Sequence, residues 1–570
     1  MHKVYTENIF SHKSFIAGVF CLYIVSFLFI TITIGYLLGI SVSSLNLPLA
    51  VILSSVLIIK QSGLNIRNTC LVILESIAGI TIIGFIMAFL PDFSSDGNYY
   101  HQESVILQVN GWNPVYSPTE LDISIWIKHY AKALEVTSAG ILALTHNLES
   151  SKVINWILYI ASVLIPYNAI RNLGWSRRKS ISVTILLSCN PVVIGQLFTF
   201  FNDFAIYCEL VILVSVFALI VPSADKKNSL YLWGIAVAIT ILAINTKFTH
   251  FMFIGIAWII FGIYLIITRY YDLLKPYLAF GVISVLLGAA VTGFHPYVTN
   301  ILTERNIFYP LIGDKKVDIM SGNTPEIFKG KNRIETFVIS LTSIKSTCDS
   351  ESKISDDILS YISNYGYGTR VNGFSPLFIL ILALSIAYGL KYSCNRRAWI
   401  LSGILLLTCI VFEQNWWARY FPWIWAIPAI LILGSTETTT KSKLLNLIIA
   451  LEILVATASV VRMAGGCVSR KLFYDRLYEQ MQKTPLKIAN RTAVVTYKLN
   501  HNNALYIDVP ISQIDSLKAV SYYDYYSRHL DIIELPDSFY TEITRPILLN
   551  KCMMLNKRLS SGSTNERDSN

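Results

Sequence analysis

Three carboxylates, a histidine and two tyrosines crowd one short stretch, Asp92-Phe93-Ser94-Ser95-Asp96-Gly97-Asn98-Tyr99-Tyr100-His101-Gln102-Glu103. A positioned carboxylate can take the proton of a hydroxyl as that hydroxyl attacks, so Asp96 is a candidate general base. Tyr100, His101 and Glu103 beside it are candidate substrate contacts. Later segments each add a charged or hydroxylated side chain: Asp203 in Phe200-Phe201-Asn202-Asp203, Lys247 in Asn245-Thr246-Lys247, and Arg419 with Tyr420 in Trp416-Trp417-Ala418-Arg419-Tyr420. Lys247 and Arg419 could stabilise the charge that builds on a departing phosphate, Arg419 with the better bidentate geometry. Asp96 with Asp203 or Glu103 could hold a divalent cation. Taken singly, a belt of aromatic residues or a snorkelling cation at a membrane surface accounts for any one of these residues.

These side chains must be positioned by membrane helices. The chain is 54% hydrophobic and 14% charged, where a soluble chain carries about 25% charged residues. Its apolar runs are long and continuous, and a backbone in hydrocarbon must satisfy its own hydrogen bonds, which selects helices over a barrel. The length criterion marks roughly thirteen spans, near 15–38, 42–60, 69–90, 152–171, 180–199, 204–222, 229–247, 249–268, 276–295, 375–391, 398–414, 420–435 and 443–463. The seventh and eighth form one apolar run. As a single helix it would extend to about 60 Å, so a fold-back is expected at Asn245-Thr246-Lys247.

Short clusters such as Arg177-Arg178-Lys179, Lys226-Lys227 and Arg396-Arg397 fall on alternate sides by count, and so all on one side. That side is the cytoplasm by the positive-inside rule. The net charge of +10 therefore reads as topology and not as a nucleic-acid surface. The N-terminus is expected inside and the C-terminus outside. The candidate site residues then share the outer face, where Lys247 and Arg419 are not favoured for topology; together with the carboxylates there they suggest a site for an anionic substrate.

The outer face also receives two long segments, 91–151 and 295–374, and a tail. Leu121 to Leu148 has apolar residues at helical spacing, which predicts amphipathic helices at the interface. Residues 1–463 read as an all-α transmembrane module and 464–558 as a small mixed α/β outer domain. The alternating runs Ala493-Val494-Val495 and Ala504-Leu505-Tyr506-Ile507 lie within that domain, and 559–570 reads as a disordered tail. The nine cysteines have no metal-ligand spacing. Cys467 and Cys552 share the outer compartment and could pair. There is no P-loop and no Rossmann-type glycine fingerprint, and a sugar donor with a long lipid tail would need neither.

The stretch Asp96-Gly97-Asn98-Tyr99-Tyr100-His101, followed by Gly111-Trp112-Asn113-Pro114-Val115-Tyr116, resembles the first outer loop of bacterial GT-C type glycosyltransferases. These are related in architecture to protein mannosyltransferases and lipid A aminoarabinose transferases. The resemblance continues in order through His129-Tyr130-Ala131-Lys132-Ala133, Asn245-Thr246-Lys247-Phe248-Thr249, Pro296-Tyr297-Val298-Thr299-Asn300, Asn372-Gly373-Phe374 and Trp417-Ala418-Arg419-Tyr420. It implies a GT-C-like fold in a bacterial inner membrane, a polyprenyl-phosphate-linked sugar as donor, and a glycan or lipid as acceptor. It also implies an acidic catalytic residue in the first outer loop, here Asp96, with Asp203 a second acidic candidate and Lys247 and Arg419 at the donor phosphate. The sequence departs from the commoner acidic pair, because Asp96 is followed by Gly97.

Two other readings compete. A polysaccharide polymerase or ligase would depend more on outer-face arginines, and Arg305 and Arg370 would serve. A secondary transporter would place ionisable residues within spans, where Glu75, Glu209 and Glu452 are the main examples.

Overall fold

The computed structural model describes residues 8–117, 123–223, 225–318, 323–343, 370–371, 373–436, 442–489, 491–515, 518–521 and 532–535. In chain order the helices are α1 (Lys13–Leu37), α2 (Asn46–Gln61), α3 (Ile66–Ala88), α4 (Gln102–Val109), α5 (Ile125–His129), α6 (Ala133–Thr145) and α7 (Val153–Asn172). They continue as α8 (Arg177–Ser188), α9 (Pro191–Gln196), α10 (Ala205–Ile220), α11 (Lys226–Thr246), α12 (Phe248–Ile267), α13 (Leu274–Val285), α14 (Thr299–Glu304) and α15 (Arg333–Thr342). The last are α16 (Phe378–Lys391), α17 (Arg396–Val411), α18 (Ile427–Gly434), α19 (Lys443–Lys483) and α20 (Ala493–His501).

Among the described residues, seven helices are long and apolar enough to cross a membrane: α1, α3, α11, α12, α19, the Glu149–Asn172 segment containing α7, and the Tyr271–Thr292 segment containing α13. Their outward faces carry exposed Leu74, Ile82, Phe85, Ile259, Ile263, Leu278 and Val282, a surface that suits lipid and not water. The other expected spans are helical but shorter. The segment 180–199 is split into α8 and α9 at Asn190, whose side chain accepts from the Val192 N–H, with Pro191 opening the new helix. A proline there contributes no N–H to continue the α8 ladder.

The long apolar run folds back where its polar residues interrupt it. Lys247 is extended between α11 and α12, and the Trp258 indole donates back to Thr240 Oγ1 at 3.0 Å. Trp233 stacks on Trp258, and Phe217 from α10 stacks on Phe261 at 4.0 Å. At the opposite end of the bundle, Lys179 donates to Ser435 O at 3.0 Å and Asn395 Nδ2 to Gly434 O at 2.9 Å. Loops expected to share a side thus meet.

One expectation is corrected. The α6 segment is not an amphipathic helix at an interface: every residue from Ala133 to Ala143 is buried. It is wedged among α1, α4 and α7, so its apolar positions satisfy protein packing on all sides. Ala493-Val494-Val495 opens helix α20: Thr492 caps it by accepting from Val495 N, and Val494, Val495 and Leu499 are buried. The domain boundary expected at 464 falls inside α19, a single 41-residue helix about 60 Å long. Beyond it the mixed α/β character stands, with β1 (Leu486–Ala489), β2 (Tyr506–Asp508), β3 (Ala519–Ser521) and β4 (Ile532–Glu534) in the order β2-β1-β4-β3. The β1–β2 pair is parallel and the others antiparallel. Cys467 is buried with a free thiol, while Cys552, Asn372 and the tail 559–570 lie outside the described residues.

Candidate active site

The site is assembled from loops at one end of the bundle, each fixed by its own polar anchors. After α3 the chain turns at Asp92, which is buried. Its carboxylate accepts from Ser94 N at 2.7 Å, Ser94 Oγ at 2.9 Å and the backbone N–H of Phe200 at 2.9 Å. The last bond ties the first loop to the segment that carries Asp203. The backbone then widens into a π-turn over Gly97–His101, with Gln102 N donating to Gly97 O; such turns often occur at functional sites. A Cβ at position 97 would lie 2.1 Å from Asp92 Oδ2 and 2.3 Å from Ser94 Oγ. The glycine after Asp96 is therefore a steric requirement of the Asp92 anchor, and no second carboxylate fits there.

Asp203 follows a loop pinned by Gln196, whose side chain accepts from Phe204 N at 2.7 Å, and by Asn155 Nδ2 donating to Thr199 O at 2.8 Å. Lys247 occupies the turn between α11 and α12. Behind it, Glu209 accepts from Thr246 Oγ1 at 2.9 Å and faces His250 Nδ1 at 2.8 Å. Glu209 is thus a polar staple of that turn. Arg419 is held through the second long segment: Thr336 Oγ1 donates to Asn415 Oδ1, Asn415 Nδ2 to Arg333 O and Ser340 Oγ to Trp416 O, each at 2.7 Å.

These anchors bring four charges together. Arg419 Nη1 lies 3.0 Å from Asp96 Oδ2 and 3.4 Å from Asp203 Oδ2, and Lys247 Nζ pairs with the other oxygen of Asp203. The Arg419 guanidinium stacks on Trp417, 3.9 Å from its ring centre, and its Nη2 reaches the Tyr420 hydroxyl at 3.3 Å. Lys247 sits 5.1 Å from the Tyr420 ring centre. The two acids differ sharply: the Asp203 side chain is 3% exposed and that of Asp96 31%. Burial pushes the Asp203 carboxyl up, but Lys247 and Arg419 outweigh it and hold the group below its ordinary value. Burial likewise opposes the charges of Lys247 and Arg419. Asp203 leads what raises Lys247, and Tyr420, Asp203 and Asp96 raise Arg419. Both remain cations. Arg419 Nε and Trp417 Nε1 are buried donors with no partner among the described residues, which points to an oxygen-rich ligand.

Of the other expected contacts, Tyr100 lies within electrostatic reach of Asp96, Asp203 and Arg419. His101 is buried, with Nδ1 2.5 Å from Glu135 Oε1. Glu103 stands half-buried on the first turn of α4. The Asp96–Asp203 pair is bridged by a guanidinium, and among the described residues no three His, Cys, Asp or Glu side chains converge as metal ligands.

A neighbouring cleft contains a residue that sequence reasoning had not placed in the site. Lys132, at the start of α6, donates to Tyr130 O at 2.6 Å and lies 2.7 Å from His295 Nε2. Phe29, Val136 and Phe294 supply apolar walls, and Asn245 and Thr292 polar ones. Burial lowers the Lys132 amine to about 7, against an opposing effect of Glu135. The signal was present: Lys132 is another cation on the face expected to lie outside, where the positive-inside rule does not call for one.

No protein-family model, no curated protein and no solved structure matches the chain.

Proposed function

We propose that the chain is a GT-C-like membrane glycosyltransferase that moves a sugar from a polyprenyl-phosphate-linked donor to a glycan or lipid acceptor. In this reading it crosses a bacterial inner membrane about thirteen times, with its N-terminus cytoplasmic and its chemistry on the extracytoplasmic face. The observation that carries the reading is Arg419, a buried cation whose Nε has no partner among the described residues, set between a buried and an accessible carboxylate.

Asp96 is the accessible member and takes the proton of the acceptor hydroxyl as that oxygen attacks the anomeric carbon, with inversion. The bond from that carbon to the phosphate oxygen breaks, and the phosphate leaves with the extra negative charge. Arg419, released from Asp96 as that carboxylate is protonated, meets the charge with Lys247 beside it. One negative charge is lost at Asp96 as another appears on the phosphate, so the low-dielectric site keeps its balance. Asp203 pins both cations and does not itself react. The cleft with Lys132 and its apolar walls suits the lipid-phosphate part of the donor.

A polymerase or ligase is the second reading, favoured by Arg370, whose guanidinium lies 5.3 Å from the Trp417 ring centre. Incubation with polyprenyl-phosphate monosaccharides and with lipid-linked oligosaccharides separates the two. Transfer of the single sugar supports the first reading, and transfer of the pre-built oligosaccharide alone replaces it with the second.

A further inference from the structure

We infer that the C-terminal domain is a working part of the site: through Lys498, Glu149 and Asp92 it braces the loop that carries Asp96. The inference rests on the function proposed above only for its activity readout.

The brace is continuous. Lys498, on α20, is 8% exposed, and its Nζ lies 3.1 Å from Glu149 Oε1. The other oxygen of Glu149 accepts from the Asp92 backbone N–H at 2.9 Å and from Lys152 Nζ at 2.7 Å. Lys152 donates in turn to Leu90 O. Asp92 then closes over Ser94 and Phe200, four residues before Asp96 and three before Asp203. A second contact runs in parallel. The Phe93 ring packs on α19 at Gly466, where a Cβ would meet it at 2.7 Å. A third is made when Tyr497 Oη donates to His146 O at 3.0 Å.

The charges match this route. Lys498 and Lys152 flank the Glu149 carboxylate, and all three are largely screened from water. Removing the Lys498 charge leaves the buried Glu149 carboxylate with Lys152 as its remaining cation among the described residues, while it still holds the Asp92 backbone N–H. The easiest relief is movement of the loop segment 90–94, which carries Asp96 with it. Displacement of a reacting group by about 1 Å can cost on the order of a hundredfold in rate. Lys498, Glu149 and Asp92 are thus positioning residues.

The test compares wild type, Lys498→Met, Lys498→Arg and Tyr497→Phe in detergent, by hydrogen exchange of residues 92–101 and by kcat and KM for sugar transfer. Lys498→Met should speed exchange of 92–101 by about tenfold and lower kcat by at least about tenfold, leaving donor KM nearly unchanged. Lys498→Arg should restore both, and Tyr497→Phe should give a smaller effect of the same kind. Unchanged exchange at 92–101 in Lys498→Met overturns the brace. Should Lys498→Met fail to fold, unchanged exchange in Tyr497→Phe overturns it equally. Faster exchange in a protein whose wild type transfers no sugar upholds the brace and removes the proposed function instead.

Discussion

Replacing Asp203 and Asp96 in turn should separate stability from chemistry at one arginine. Asp203 is 3% exposed and faces Lys247 and Arg419, whose side chains are 12% and 9% exposed. Asp203→Ala leaves two buried cations without their shared anion, and loss of one partner of a buried pair costs about 3–5 kcal/mol. Asp96 reaches Arg419 at 3.0 Å from a side chain 31% exposed, where water can replace the lost contact. Asp96→Asn keeps the shape and an acceptor oxygen, so its cost should stay near 1 kcal/mol. Unfolding by sodium dodecyl sulfate titration, followed by tryptophan fluorescence, measures both. Equal losses of stability in the two variants, or an Asp203→Ala protein as stable as wild type, would refute the division of roles between an anchor and a reactive carboxylate.

Other consequences are simpler to measure. Gly97→Ala should lose about 2 kcal/mol in the same titration, because its Cβ must displace Asp92 and Ser94 from hydrogen bonds to charged oxygen, and sugar transfer should fall with it. Lys132 titrates near 7 in the folded chain against an ordinary value of 10.5. Between those values the unfolded chain holds a proton that the folded chain lacks, so stability should rise with pH across that window. Lys132→Met should flatten the rise, read from unfolding at pH 7 and pH 9. The depressed Asp203 carboxyl acts with the same sign on the acid side: its contribution is present above about pH 4 and is lost as pH falls further. Asp203→Asn should lack that acid-side loss.

The membrane helices were legible because hydrocarbon demands long apolar runs, and the fold-back at Lys247 because a run that long and apolar almost throughout exceeds a bilayer as one helix. The burial of α6 was not legible. An apolar stripe reads as interfacial when its protein neighbours come from distant segments, here α1 and α11. The charged residues of the site could be gathered by their common expected face, although Asp96 and Arg419 are 323 positions apart. What distinguishes Asp92 from Asp96 could not be read from the local sequence, where both are carboxylates in one polar turn. The difference is made by the Phe200 N–H, 108 positions away. Gly97 looked like a departure from an acidic pair and is instead the space that Asp92 needs.

The most direct test of the account is sugar transfer from a polyprenyl-phosphate donor by purified wild type, Asp96→Asn and Arg419→Ala, with folding checked by fluorescence. The account predicts transfer by wild type and at least about a hundredfold loss in each folded variant. Transfer at the wild-type rate by folded Asp96→Asn would contradict it.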